Sequence, residues 1–219
     1  MKPKIVPLGD SALLVQLGDE IDLRINQRVH ALAALVDHSA IEGIVETVPA
    51  YGTLLIHYDP FVLTYSKVSQ WVRLKLEQVQ GSKLSKPRRI EIPVKYGGEH
   101  GPDLESVAAY HNLQTEDVIR IHSERTYIVY MMGFTPGFPY MGKLDDAIVT
   151  PRLEVPRTNV PQGSVAIAGF QTGIYPLTSP GGWRLIGHTS LELFDPNANP
   201  PFLFSPGDEV KFIVEKICH

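Results

Sequence analysis

The chain has 219 residues, 43% of them hydrophobic and 20% charged, with a formal charge of −4. That apolar content fills one large core or two small ones, and the acidic balance excludes the clustered Lys and Arg of a nucleic-acid binder. The single cysteine, Cys218, excludes an internal disulfide and a cysteine-based metal centre.

In chain order, residues 4–8 and 12–17 read as two strands joined by the turn dipeptide Gly9-Asp10. Ile25, Val29, Leu32 and Val36 recur at helical spacing behind Asp22, a suitable N-cap. Residues 44–48 and 54–58 repeat the strand pair around a turn at Pro49-Ala50-Tyr51-Gly52. A second helix follows, whose apolar stripe is Val68, Trp71, Val72, Leu76 and Val79, with Trp71 as a core anchor. The order ββαββα predicts a small α+β domain over residues 1–82.

Residues 83–89 read as a linker, with Lys83, Lys86, Arg88 and Arg89 as a solvated basic cluster. A mainly-β domain is predicted over residues 90–219. It opens with a strand at 90–94 and two short helices with Asp103 and Thr115 as caps, running to about 111 and 123. Strands are then expected at 127–131, 147–149, 164–168, 184–187, 191–194 and 209–214. Such a run of short strands argues for a barrel or sandwich.

Residues 133–189 hold nine of the eighteen glycines and seven of the eighteen prolines. Tight turns of fixed shape follow, because glycine permits positive φ and proline fixes φ. Phe134, Pro136, Phe138 and Tyr140 set among them suggest the walls of a receiving surface. Gln171, Thr172 and Tyr175 can hydrogen-bond and stack against an amide-like ligand. Gly181 and Gly182 beside Trp183 offer either an anion cradle of backbone N–H groups or a tightly turned barrel corner. Arg152 and Arg157 either present guanidinium forks to a carboxylate or pair with Glu154. His188 either exchanges protons with a substrate or holds a structural hydrogen bond; with Arg152 it is a candidate catalytic residue. His122 reads as a surface or capping histidine, or one facing a pocket at a helix end. Ser164 and Ser179 lack an evident base and read against a nucleophilic role.

No phosphate loop, H-E-x-x-H helix or G-x-S-x-G elbow occurs, and the scattered histidines point to no metal site. The N-terminus lacks a continuous apolar core and no apolar run is long enough to span a bilayer, so the expected compartment is the cytoplasm.

The segments VPAYGTLLIHYDP (48–60), IPVKYGGEHGPDL (92–104), GFTPGFPYMG (133–142), TPR (150–152) and VPQGSVAIAGFQTGIYPLTSPGGWRLIGHT (160–189) together resemble the allophanate hydrolase subunit 1 family, which includes a sporulation histidine-kinase inhibitor. The resemblance covers essentially the whole chain. It implies a cyclophilin-like β-barrel for the second domain, and action as one subunit of an ATP-dependent 5-oxoprolinase that opens 5-oxoproline to glutamate. The partners so implied are a related barrel subunit, C, and a third subunit, A. ATP is then a co-substrate of the complex, held by no recognisable motif of this chain. Two other roles follow from the same resemblance: a module that binds and inhibits a histidine kinase, and a component of a biotin-dependent carboxyltransferase. Family members often carry Arg or Lys followed by Thr-Pro where this chain has His188-Thr189-Ser190, which weakens transfer of a charged anchor to His188.

Overall fold

In the computed structural model, which describes residues 2–79 and 87–218, the first strand pair forms as the alternation of apolar residues requires. β1 (Lys4–Pro7) and β2 (Ala12–Gln16) are antiparallel, α1 spans Leu23–His38, β3 (Ile44–Pro49) and β4 (Thr53–Tyr58) pair, and α2 spans Tyr65–Val79. The sheet order is β1-β2-β4-β3. Asp22 caps α1 by accepting the Ile25 N–H at 2.9 Å. Both helices turn their apolar stripes onto Leu13, Val15, Leu54 and Ile56, which form this unit's own core with Val29, Leu32, Val68 and Val72. Trp71 packs half-buried against that core, as its place on the stripe requires.

The second of the two compact units, Pro87–His219, contains β5 (Arg89–Gly97), α3 (Leu104–Tyr110), α4 (Thr115–Glu124), β6 (Thr126–Met132), β7 (Pro139–Gly142), β8 (Arg157–Val160), β9 (Ser164–Ala168), β10 (Gln171–Ile174), β11 (Ser179–Gly181), β12 (Arg184–His188) and β13 (Glu209–Cys218). Seven strands close a barrel in the order β10-β7-β6-β13-β5-β12-β9, and β8 and β11 form a separate two-stranded sheet. The β5–β13 pairing is parallel. The architecture is thus an α+β unit followed by a barrel.

Alternate residues of the barrel strands fill one core: Ile92, Val94 and Tyr96 from β5, Tyr127 and Val129 from β6, Val165 and Ile167 from β9, and Phe212 from β13. Helices α3 and α4 contribute Leu104, Val107, Val118 and Ile119 to it. Fully burying each such side chain contributes about 1.5–3 kcal/mol. The opposite face of β9 supplies Ala166 and Ala168 to a second cluster with Phe138, Val160, Tyr175, Trp183 and Leu185. Period-2 alternation therefore gives β9 two buried faces.

Several local expectations are corrected. Residues 147–149 do not form a strand. A 3-10 turn, Asp146–Ile148, takes their place, with the Asp145 carboxylate accepting the Ala147 N–H at 3.0 Å. The Asp145-Asp146 pair favours that side-chain-to-backbone closure over a ladder. Residues 191–194 contribute only an isolated bridge, Phe194 to Phe202, while Leu193 is buried in the barrel core. Asp103 does not cap its helix with its side chain, and Thr115 is the first helical residue after Gln114. Arg88 and Arg89 stay exposed as expected, while also pairing with Asp208 and Glu209. Lys83, Lys86 and residues 83–86 of the expected linker lie outside the described residues.

Candidate functional site

Three groups of side chains gather the predicted site residues. The first is aromatic. Phe138 meets Tyr140, Tyr175 and Trp183 edge-on, with centroids at 4.9, 5.2 and 5.4 Å. Edge-to-face contact of this kind adds about 0.5–1.5 kcal/mol per pair beyond area burial. Phe134 completes the group at 5.6 Å from Phe138 while remaining 60% exposed. Its φ of +67° is unusual for a bulky side chain, so the loop holds an aromatic ring outward against a backbone preference.

Arg152 lies over the Trp183 ring at 6.0 Å and not on Glu154. Desolvation raises the Tyr140 and Tyr175 phenols above their ordinary values, with Arg152 opposing the shift. Gly181 is a packing requirement here, because a Cβ at that position would overlap the Tyr175 hydroxyl. The same hydroxyl is hydrogen-bonded to the Trp183 backbone, and Gly182 accepts the Leu153 N–H through its carbonyl at 2.8 Å.

The second group lines a cleft of about 420 Å³: Glu99, His100, Pro102, Arg157, Asn159, Pro161, Ser164, Leu185 and His188. Its floor is fixed by Asp103, whose carboxylate accepts the Leu185 N–H at 2.7 Å and the Arg157 Nη2–H at 2.8 Å. Arg157 Nη1 is buried without a partner. The His188 Nε2 atom lies 2.9 Å from the Gln162 carbonyl. A carbonyl only accepts, so Nε2 carries the proton and the neutral ring keeps its Nδ1 lone pair. His100 faces His188 with ring centroids 5.6 Å apart. Gly163, at φ +83°, lets the chain pass beside the imidazole where a Cβ would meet its Nε2.

The third group lies inside the barrel. His122 is fully buried, with Nδ1 2.8 Å from the Tyr96 hydroxyl and Nε2 2.9 Å from Thr172 Oγ1. Thr172 donates its own proton to the Ala166 carbonyl at 3.1 Å. It must therefore accept from His122 Nε2–H, and Tyr96 donates to Nδ1. Burial pulls the His122 imidazole down to about 3 and pushes the Tyr96 phenol well above its ordinary range, so this is a neutral relay. The sequence-based readings of His122 missed its role.

The candidate residues thus separate. Phe134, Phe138, Tyr140, Arg152, Tyr175 and Trp183 share the aromatic face, with Gly181 and Gly182 behind it. Arg157 and His188 line the cleft. Thr172 is buried in the relay, Gln171 is half-buried on β10 between partners on β7 and β9, and Pro136 is exposed in the Phe134 loop. Sequence reasoning missed Asp103, His100 and Gly163 as parts of the cleft. The glycines around Glu99-His100 were the available signal for His100, but nothing in sequence separation links Asp103 to Arg157. Among the described residues no group of three His, Cys, Asp or Glu side chains is placed to hold a metal, and no helix is long and apolar enough to cross a membrane.

The family model of the carboxyltransferase domain, subdomain C and D, matches residues 3–204, a span that takes in the α+β unit and most of the barrel unit with its two-stranded β8–β11 flap; the chain belongs to this family. More particularly, it is 44% identical to the B subunit of the 5-oxoprolinase of Bacillus subtilis (strain 168), covering 96% of this chain and 92% of that protein. It is 45% identical to the 5-oxoprolinase B subunit of Haemophilus influenzae, covering 97% and 98%. Among solved structures, that of TTHA0988 superposes with a TM-score of 0.81 at 38% identity, over 95% of this chain and 40% of that one.

Proposed function

We propose that the chain is the B subunit of an ATP-dependent 5-oxoprolinase, acting with the A and C subunits to open 5-oxo-L-proline to L-glutamate in the cytoplasm. The observation that carries this reading is the 44–45% identity to two proteins named as that subunit, over nearly the full length of each.

The reaction breaks a resonance-stabilised lactam, which requires activation of the carbonyl and stabilisation of charge on its oxygen. This chain's share is binding and orientation. Neither Ser164 nor Ser179 is hydrogen-bonded to a histidine, so no activated nucleophile is assembled from them. ATP is a co-substrate of the assembly, and no phosphate loop of this chain marks a site for it.

Mixing the purified chain with the A and C subunits should release glutamate from 5-oxoproline when ATP is present, while the chain alone releases none. A folded three-subunit mixture that releases no glutamate defeats the reading. The family's description as a carboxyltransferase domain favours a second reading, a component of biotin-dependent carboxyl transfer. Carboxyl transfer from carboxybiotin to an amide acceptor, dependent on this chain, would select it.

A further inference from the structure

Polar groups in a folded interior are normally matched to partners, and those left over at the wall of a cleft mark where a ligand's complementary atoms belong. The cleft beside β12 has such a set. Arg157 commits Nη2 to Asp103, but its Nη1 is shielded from solvent with no acceptor. Ser164 is 3% exposed, and its side chain makes no hydrogen bond among the described residues. Asn159, two positions along the chain from Arg157 and so on the same face of β8, is exposed at the cleft wall. His188 uses Nε2–H on the Gln162 carbonyl and retains Nδ1 as an acceptor. The His188 ring is fixed: Gly163 passes against it, and the Thr189 N–H is held by the Gly163 carbonyl at 2.9 Å.

We propose that this cleft, and not the aromatic face around Trp183, is the binding site for a small carboxylic acid that also carries a secondary amide. The assignment rests on the 5-oxoprolinase reading for the identity of that acid. Arg157 meets the carboxylate through the N–H that lacks a partner. His188 Nδ1 accepts the amide N–H, and the Ser164 hydroxyl and Asn159 amide donate to the amide oxygen. Each donor faces an acceptor and each acceptor a donor. The volume of about 420 Å³ accommodates a single five-membered ring with its substituent. Glu99 does not oppose the carboxylate strongly, since its side chain is 89% exposed and screened by water.

The test is a titration of the protein with 5-oxoproline, followed by NMR of the histidine ring and tryptophan indole resonances, with His188→Gln and His100→Gln used for assignment of the two rings. His188→Gln keeps an N–H for the Gln162 carbonyl while removing the ring acceptor. Saturable shifts of His188 and His100 are expected, with binding weakened about tenfold or more in His188→Gln and in Ser164→Ala. Proline, which lacks the amide carbonyl, and 2-pyrrolidinone, which lacks the carboxylate, should each bind more weakly than 5-oxoproline. Shifts confined to residues around Trp183, unaltered affinity in both variants, or no shift at saturating ligand would each overturn the proposal, because the cleft is built from this chain alone. Histidine shifts without glutamate release in the three-subunit mixture would sink the 5-oxoprolinase reading and leave the cleft standing. Full glutamate release with an unresponsive cleft would do the reverse.

Discussion

At the scale of single residues, His122 and Asp103 carry the largest consequences. His122 holds a neutral relay between Tyr96 and Thr172 in the barrel interior, and its folded-state value of about 3 lies below the ordinary 6.5. Above pH 6.5 both folded and unfolded forms are neutral and the relay's stabilisation is fully present. As pH falls from about 6.5 toward 3, the unfolded chain binds a proton that the folded one refuses, and stability declines. Urea unfolding of His122→Gln at pH 7 and pH 5 should show a smaller loss between the two than the native protein does; parallel curves would contradict the assignment. Asp103→Ala should cost about 3 kcal/mol, since it leaves Arg157 and the Leu185 N–H without their partner. Adding Arg157→Met should cost less than the two changes summed, as a double-mutant cycle in denaturant would measure. Neither role was legible in the sequence. Asp103 has the composition of a helix cap, and only the closure of β12 onto α3 turns its carboxylate toward Leu185.

Among the elements, the β8–β11 flap is the part of the barrel unit that local patterning concealed. Its strands, four and three residues long, contain Arg157-Thr158-Asn159 and Ser179-Pro180-Gly181, sequences without the apolar alternation that marks a strand. They pair because Val160 and the neighbouring Trp183 bury against the outer face of β9, where Ala166 and Ala168 leave room. Strands β7 and β10 were hidden similarly by Pro139, Gly142 and Gly173. By contrast, α1, α2 and strands β1 to β4 follow directly from periodicity and an aspartate cap, β9 from a continuous apolar run, and the first half of β13 from the alternation that buries Val210 and Phe212. Gly181→Ala should destabilise the unit by about 1–3 kcal/mol, because the Tyr175 ring that blocks the new methyl is itself buried and cannot yield cheaply. Combining it with Tyr175→Leu should cost less than the sum in thermal unfolding; strict additivity would mean that the two do not share that space.

Over the whole molecule, the two units have separate cores, one around Leu13, Val29, Leu54 and Val72 and the other filling the barrel. Residues 87–219 expressed alone should therefore unfold in one cooperative transition, with the near-ultraviolet signature of the packed Tyr96, Tyr127 and Trp183 environments retained; a non-cooperative melt would count against separate cores. The aromatic face, with exposed Phe134 and Arg152, has the residue types enriched in protein interfaces, while the cleft has the unmatched polar groups of a small-molecule site. A protein that binds and orients for an assembly needs both. The most direct measurement adds increasing amounts of this chain to fixed amounts of the A and C subunits with ATP and 5-oxoproline, and follows glutamate. Its role as a required component predicts a rate that rises from zero and levels at a fixed ratio of the three chains; a rate indifferent to the chain would contradict it.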